Sequence, residues 1–374
     1  MLHLNTLTIL TEESKGFAST NRFMCSEIIM IMVVKCYHCK ILGLTNIKQI
    51  ALAQEYENLQ HYLQTREDIG LYSANKQQAD RFYKVIKKHK RYPLFIRNDL
   101  LKIEKNPNTV AEYWCQIPLK AVRGGIWIGV KTHEPIPVDV KICESKICRH
   151  DKHWFLDLVV KKEIPEKTEY QNVIGIDMGI KHITCSVDMA MNKTRFFGRN
   201  LNRIRGHYFW LRRKLGMKKA LDTIKKIRNR EKRIVNDIIH KISREIVNNA
   251  LETNAIIILG NIKYLRKRKQ RRFRKRMAIL LSGFPYYKLT EYIKYKSALA
   301  GIKVVEVSEA WTSQTCNRCQ RRGKRKTQGL FKCDTRIRED NADRNAAFNI
   351  AKRGLGYISK LGVSVNMPRT PTFF

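Results

Sequence analysis

The sequence lacks any early apolar run long enough to cross a membrane. The run from Ile28 to Val34 is far shorter than the ~20 residues that a transmembrane helix needs, and it predicts a buried strand. No secretory signal is visible at the N-terminus. We therefore expect the ten cysteines to occur in a reducing compartment, as free thiols or metal ligands.

Acidic residues are scarce relative to basic ones. The 374 residues contain 33 Asp and Glu against 73 Lys and Arg, which gives a net charge of +40. Such an excess repels itself in isolation, so a polyanionic partner is expected to neutralise it. An anionic membrane is the weaker alternative, because no basic amphipathic anchor stands out. The composition thus favours a nucleic-acid partner.

The first half of the chain mixes helical and strand patterns. Residues 1–46 are poorly patterned, and their Cys-x-x-Cys pair at Cys36 has no second pair nearby, which favours buried thiols over a metal site. Apolar spacing within residues 47–110 predicts two or three helices, with Lys84–Arg91 as a helix face in solvent or on a nucleic-acid backbone. Short alternating runs in residues 111–171 predict a small antiparallel barrel or sheet, with a polar linker at its end.

The second half alternates apolar strands with helices, which predicts an α/β domain with a mixed sheet. A long basic helical stretch, about 202–251, follows the first hairpin, and a further helix is expected over 282–300. The expected strands are Val173–Asp177, its hairpin partner Ile183–Asp188, Ala255–Leu259 and Val304–Val307.

Three carboxylates stand where strands end or a helix begins. Asp177 ends the first strand, Glu309 follows the last, and Asp343 opens the final helix. Hard cations such as Mg²⁺ take oxygen ligands, and two such ions can clamp both oxygens of a phosphodiester. Taken alone, Asp177 would be an Asx turn and Glu309 a polar residue after a strand. Glu306 is the competitor of Glu309, but it is expected on the opposite face of the sheet.

A cysteine-bearing finger separates Glu309 from Asp343. Cys316, Cys319 and Cys333 have the spacing of a zinc ribbon, which normally ends in a second Cys-x-x-Cys pair. The fourth position is Arg336. Three thiolates could be completed by Asp334 or water, or zinc could bind weakly or not at all.

A basic run between the third and fourth strands is the strongest local concentration of charge. It could be a solvated loop, a localisation signal, or a loop over a nucleic-acid channel in which Phe273 stacks on a base. The candidate nucleic-acid-binding residues are Arg266, Lys267, Arg268, Lys269, Arg271, Arg272, Arg274, Lys275 and Arg276.

Several of these segments together resemble TnpB proteins, which are encoded by insertion sequences and are similar to Fanzor proteins and type V CRISPR effectors. The matching segments are Gly175-Ile-Asp177-x-Gly179, Ala310-Trp-Thr-Ser-Gln-Thr-Cys316-x-x-Cys319, Phe331-x-Cys333 and Ala342-Asp343-x-Asn345-Ala346-Ala347-x-Asn349-Ile350.

The resemblance implies an α+β multi-domain protein. Its N-terminal part would be a small β-barrel with a helical insertion. An RNase H-like (RuvC) α/β nuclease with an inserted zinc-ribbon-like finger would follow. The expected segments are 1–46 (poorly patterned), 47–110 (helical, nucleic-acid recognition), 111–171 (barrel strands), 172–309 (first part of the nuclease), 310–339 (finger), 340–358 (last nuclease helix) and 359–374 (tail).

The resemblance also implies an activity. Such proteins use a transposon-derived guide RNA and cut double-stranded DNA beside a short motif. Asp177, Glu309 and Asp343 would hold two Mg²⁺ ions, and the three finger cysteines would hold Zn²⁺. The expected location is the cytoplasm at the nucleoid, or the nucleus in a eukaryotic host.

One departure from the family bears directly on activity. The family's usual Glu follows the third strand, where this chain has Gly260. Glu309 stands where some relatives carry the Glu instead, so a carboxylate is gained where one is lost. The alternatives are a nuclease-inactive RNA-guided DNA binder acting as a repressor, and an accessory regulator of transposition.

Overall fold

A computed structural model describes residues 30–367 except 88–89, 109, 138, 152, 180, 262–284, 326, 328 and 336–337. The basic run at 266–276 and position 336 therefore lie outside the described residues. The described residues from 32 onward divide into two compact units, 32–163 and 164–367. Within the described ranges, no helix is both long and apolar enough to cross a membrane.

The first unit is one antiparallel sheet with two helices. Its elements are β1 (Met30–Leu42), α1 (Asn46–Thr65), α2 (Ser73–Phe82), β2 (Leu94–Ile96), β3 (Lys102–Lys105), β4 (Tyr113–Leu119), β5 (Val122–Lys131), β6 (Lys141–Ile142), β7 (Ser145–His150) and β8 (His153–Pro165). The strand order is β2-β7-β8-β1-β5-β4-β3, with β6 also on β8. Leu52 and Leu59 of α1 are buried in the same core as Ile117 and Leu156 of the sheet.

Two expectations for this unit are wrong. No closed barrel is found among the described strands, because the short edge strands β2 and β3 pair with no strand that would join the two ends. The basic residues 84–91 are not helical where they are described, because α2 ends at Phe82. The Tyr83 hydroxyl there donates to the Pro93 carbonyl at 2.6 Å, which turns the chain toward β2.

The second unit is a mixed sheet with helices and a small finger. Its elements are β9 (Glu169–Tyr170), β10 (Asn172–Asp177), β11 (Thr184–Asp188), β12 (Lys193–Phe197), α3 (Leu201–Met217), α4 (Leu221–Glu252), β13 (Ala255–Asn261), α5 (Tyr286–Leu299), β14 (Val304–Ser308), β15 (Lys324–Arg325), β16 (Leu330–Cys333), β17 (Arg338–Asn341), α6 (Ala342–Ile358), a 3-10 turn (Ser359–Leu361) and β18 (Ser364–Val365).

The main sheet has the order β12-β11-β10-β13-β14. Strands β10, β13 and β14 run parallel, β11 pairs antiparallel with β10, and β12 pairs antiparallel with β11. The apolar runs of β10 and β13 are almost fully buried, as expected for strands covered on both faces. The predicted mixed α/β sheet is thus confirmed.

Helix α6 lies against the centre of this sheet. A Cβ on Gly175 would be 2.6 Å from the Ala351 Cβ, so only glycine lets the helix approach β10 this closely. A Cβ on Gly354 of the helix would likewise lie 2.6 Å from Ile258 of β13. The helix therefore covers the sheet face that carries Gly175 and Ile258.

Two further expectations for the second unit need correction. The helical stretch over 202–251 is two helices, α3 and α4, because the chain turns at Lys219, whose φ is +53°. The expected linker after residue 164 contains β9, which pairs in parallel with β18 near the C-terminal end of the described chain.

Candidate active site

Asp177 is the last residue of β10 and is 9% exposed. Burial raises the pKa of its carboxyl well above the usual value, and the negative charges of Glu309 and Asp343 raise it further. Arg325 partly opposes this shift. The two other candidate carboxylates thus act on Asp177 at short range, although they come from distant parts of the sequence.

The register of the parallel strands explains how Glu309 reaches this place. Ile176, Leu259 and Glu306 form one row across β10, β13 and β14. Because side chains alternate between faces, the next row, which begins with Asp177 and includes Gly260, faces the α6 side. Glu309 follows the end of β14 and faces the same side of the sheet as Asp177 and Gly260.

Glu309 lies where a side chain at position 260 would lie. A Cβ built on Gly260 would be 2.5 Å from the Glu309 Cγ and 2.6 Å from its Cδ. Non-bonded atoms do not approach this closely. The absence of a side chain at Gly260 therefore leaves the space that the Glu309 carboxylate occupies.

Glu306 faces the other side of the sheet, as the sequence predicts. Its carboxylate lies 2.7 Å from the Lys294 ammonium on α5. Asn261 donates to the same side chain at 3.5 Å. Glu306 therefore belongs to a surface ion pair on the face opposite Asp177.

Asp343 enters the site from the first turn of α6. The Asn341 side chain caps this helix by accepting from the Asp343 N–H at 2.9 Å, which fixes the position of that turn. Burial raises the pKa of the Asp343 carboxyl, while Arg325, His182 and Lys181 lower it. The Arg325 guanidinium comes from the finger and lies 3.7 Å from the carboxylate.

The chemistry of the donor set is of the kind that magnesium prefers, because three carboxylates from three elements offer oxygen ligands at one partly buried place. Among the described residues, only the finger cysteines bring three ligand atoms within 4.8 Å of one another, so the three carboxylates are more widely spaced. Their mutual repulsion raises the pKa of Asp177, so a cation between them would relieve it. Asp177, Glu309 and Asp343 are the residues that would hold such ions.

The finger cysteines form a second candidate metal site. The sulfurs of Cys316, Cys319 and Cys333 all lie within 4.8 Å of one another. The backbone N–H of Arg321 lowers the pKa of the Cys319 thiol, which favours the thiolate. Asp334, considered as a fourth ligand, instead has its carboxylate 3.7 Å from the Lys324 ammonium.

The sequence did not reveal what attaches the finger to α6. Asn345 and Asn349, one helical turn apart, donate to the carbonyls of Thr315 and Thr312 at 2.7 and 2.8 Å. The backbone N–H of Asn317 donates back to Asn345 at 2.8 Å. Both asparagines stand in the matched motif, and their spacing of four residues is the signal that they share a helix face.

The fold and the site define a mixed α/β protein with a cluster of carboxylates and a cysteine group able to hold a metal ion. Residues 286–350 match the family described as Cas12f1-like, TNB domain.

Two relatives are similar to about half of this chain. One is the CRISPR-associated endodeoxyribonuclease Cas12f2 of Micrarchaeota archaeon (strain CG1_02_47_40), at 29% identity, covering 54% of this chain and 40% of the relative. The other is TnpB-like protein MJ0751 of Methanocaldococcus jannaschii, at 28% identity, covering 51% of this chain and 72% of the relative. The chain thus spans less than half the length of the first relative. These matches support a TnpB-family protein, as the motifs predict.

A solved structure is also similar. The cryo-EM structure of a Cas12f1-sgRNA-target DNA complex aligns with a TM-score of 0.42 and 16% identity, covering 83% of this chain and 87% of that chain.

Proposed function

We propose that this protein is a transposon-encoded, RNA-guided DNA endonuclease with a RuvC-like catalytic domain. The observation that carries the proposal is the position of Glu309 in the space beside Gly260. It supplies a third carboxylate near Asp177 and Asp343 although the family's usual position has none. The relative named as an endodeoxyribonuclease supports the same class of activity.

In this proposal the three carboxylates would hold two Mg²⁺ ions. When bound, such ions activate water and stabilise the leaving oxygen. Asp177 and Glu309 approach from the ends of β10 and β14, the strands on either side of β13, and Asp343 approaches from α6. Arg325, at 3.7 Å from Asp343, balances part of the negative charge.

The partners in this proposal are a guide RNA and a double-stranded DNA target. The net charge of +40 supplies backbone attraction for both. Base pairing would read the sequence, while the protein would hold the hybrid through its phosphates. The basic run at 266–276 would contribute to this contact, and the three finger cysteines would hold Zn²⁺.

The test is cleavage of a plasmid library by the protein purified with RNA from its own locus, with and without Mg²⁺. Cuts that need Mg²⁺, match the guide and lie beside one short motif are expected. RNA-dependent binding without cuts would instead favour the nuclease-inactive binder. Cutting that needs no RNA would overturn the guided activity.

A further inference from the structure

Trp311 combines high exposure with an unusual backbone conformation. The residue is 58% exposed and its φ is +66°. A bulky residue in the left-handed region costs free energy and persists only where its surroundings hold it there. Burial of the ring does not offset this cost, which makes the exposed ring a candidate for a role at the surface.

The turn around Trp311 is held by its neighbours. Its carbonyl accepts from the N–H groups of Gln314 and Thr315 at 2.9 and 3.0 Å. Arg353 of α6 donates to the carbonyl of Ala310 at 3.1 Å. The Trp311 ring therefore projects from a turn that is hydrogen-bonded to α6.

A cation lies over the ring. The Arg322 guanidinium is 4.2 Å from the centroid of Trp311, within the range of a cation–π contact. Arg322 is itself exposed and belongs to a basic stretch of the finger that also contains Arg318, Arg321 and Lys324. Aromatic rings within a positively charged track are the pattern that binds single-stranded nucleic acid.

The location links this pair to the candidate active site. Trp311 is two residues beyond Glu309, and two residues of chain span at most ~7 Å. Thr312 ties the same segment together, because its hydroxyl donates to the Glu309 carbonyl at 3.0 Å. The backbone of Trp311 therefore lies close to that of Glu309, one of the three candidate carboxylates.

We propose that Trp311 and Arg322 form a stacking site for an unpaired nucleobase of the strand that enters the carboxylate cluster. The inference rests on the proposed function, because it assumes that a nucleic-acid strand enters there. The indole face opposite the guanidinium takes the base, and the guanidinium and its basic neighbours take the adjoining phosphates. Such a site is tolerant of sequence, since every base has a π-face.

The test uses the full chain without divalent ions and single-stranded DNA oligonucleotides that carry 2-aminopurine. Stacking on the indole is expected to quench the 2-aminopurine emission. Trp311→Phe should keep the quench. Trp311→Ala should lose it and bind the oligonucleotide about tenfold more weakly, with an unchanged salt dependence, because no phosphate contact is removed.

Trp210→Ala is the matched control. Trp210 is 51% exposed on α3 and has the Lys214 ammonium 4.0 Å from its ring centroid, so it offers a similar ring and cation elsewhere. The Trp210→Ala variant should leave the quench unchanged. An unaltered quench in Trp311→Ala, an equal loss in Trp210→Ala, or a change only in oligomeric state would each overturn the stacking site.

This readout is separate from cleavage. A quench that depends on Trp311 in a protein that never cuts DNA would support the stacking site and contradict the nuclease. Cleavage by the wild type together with an unaltered quench in Trp311→Ala would support the nuclease and contradict the stacking site.

Discussion

The Glu309 side chain occupies the space that a side chain on Gly260 would need, with its Cγ 2.5 Å from the position of the missing Cβ. The two residues lie on adjacent parallel strands, or just beyond, and on the same face of the sheet. The glycine at the end of β13 and the glutamate after β14 therefore depend on each other, because Glu309 fits only where position 260 has no side chain. Changing either residue should affect the same carboxylate cluster.

Gly260→Ala should disturb the site more than the fold. The added methyl group would meet the Glu309 side chain, which can swing away toward solvent at small cost in stability. We expect Mg²⁺ to bind about tenfold more weakly, with little change in Tm. Isothermal titration with Mg²⁺ and thermal unfolding of the same sample would check this. A Tm that falls sharply with unchanged Mg²⁺ affinity would contradict it.

Asp177→Asn should stabilise the metal-free protein at neutral pH. Because burial and like charges raise the pKa of Asp177, the folded state favours the protonated carboxyl, and stability is lost as pH rises through that raised pKa. The variant has no charge to bury, so its Tm should exceed that of the wild type by a few degrees at pH ~7.

The same gain should shrink as the pH falls and should vanish below pH ~3, where the wild-type carboxyl is protonated in both states. Mg²⁺ should raise the Tm of the wild type more than that of Asp177→Asn. A variant that is less stable than the wild type at neutral pH without metal would contradict this account.

Gly175→Ala should destabilise the second unit. The new Cβ would lie 2.6 Å from the Ala351 Cβ and would push α6, which carries Asp343, off the sheet. Such overpacking costs ~1–3 kcal/mol. Denaturant unfolding would measure it. Gly206→Ala on α3 is the control, because nothing lies within 4 Å of its added Cβ, and it should be neutral or slightly stabilising.

Cys333→Ser should remove zinc from the finger. The protein as purified is expected to hold roughly one zinc ion, since three clustered thiols supply three of the four ligands of a typical site. Metal analysis of the variant should find almost none. Cys143→Ser, a half-buried thiol outside the cluster, should keep the zinc content of the wild type. Equal zinc in both variants would show that the finger does not bind it.

The sequence predicted the strands around the site well, because β10 and β13 are nearly continuous apolar runs and β14 is apolar except for Glu306 and its last residue. It did not predict β12 or the short strands of the finger. It also predicted that Glu306 and Glu309 would face opposite sides, since that follows from strand alternation alone. The fold of the first unit was harder to predict from the sequence. Whether its short strands close into a barrel depends on pairing between edges, which local patterns do not encode.

The candidate site was only partly predictable. Its carboxylates could be chosen from strand ends and motifs, but the contact between Glu309 and Gly260 depends on the register of two strands. Asn345, Asn349 and Arg325 act through contacts with residues distant in sequence. Their roles therefore became visible only when the packing of the finger against α6 was known.

Moving the carboxylate back to position 260 tests the central claim most directly. The measurement is the rate of Mg²⁺-dependent cleavage of a guide-matched plasmid by four proteins: the wild type, Glu309→Ala, Gly260→Glu with Glu309→Ala, and Glu306→Ala. We expect Glu309→Ala to lose at least ~100-fold in rate, because a direct ligand should matter more than an outer partner. The double variant should recover part of it, and Glu306→Ala should cut at close to the wild-type rate. Undiminished cleavage by Glu309→Ala would contradict the account.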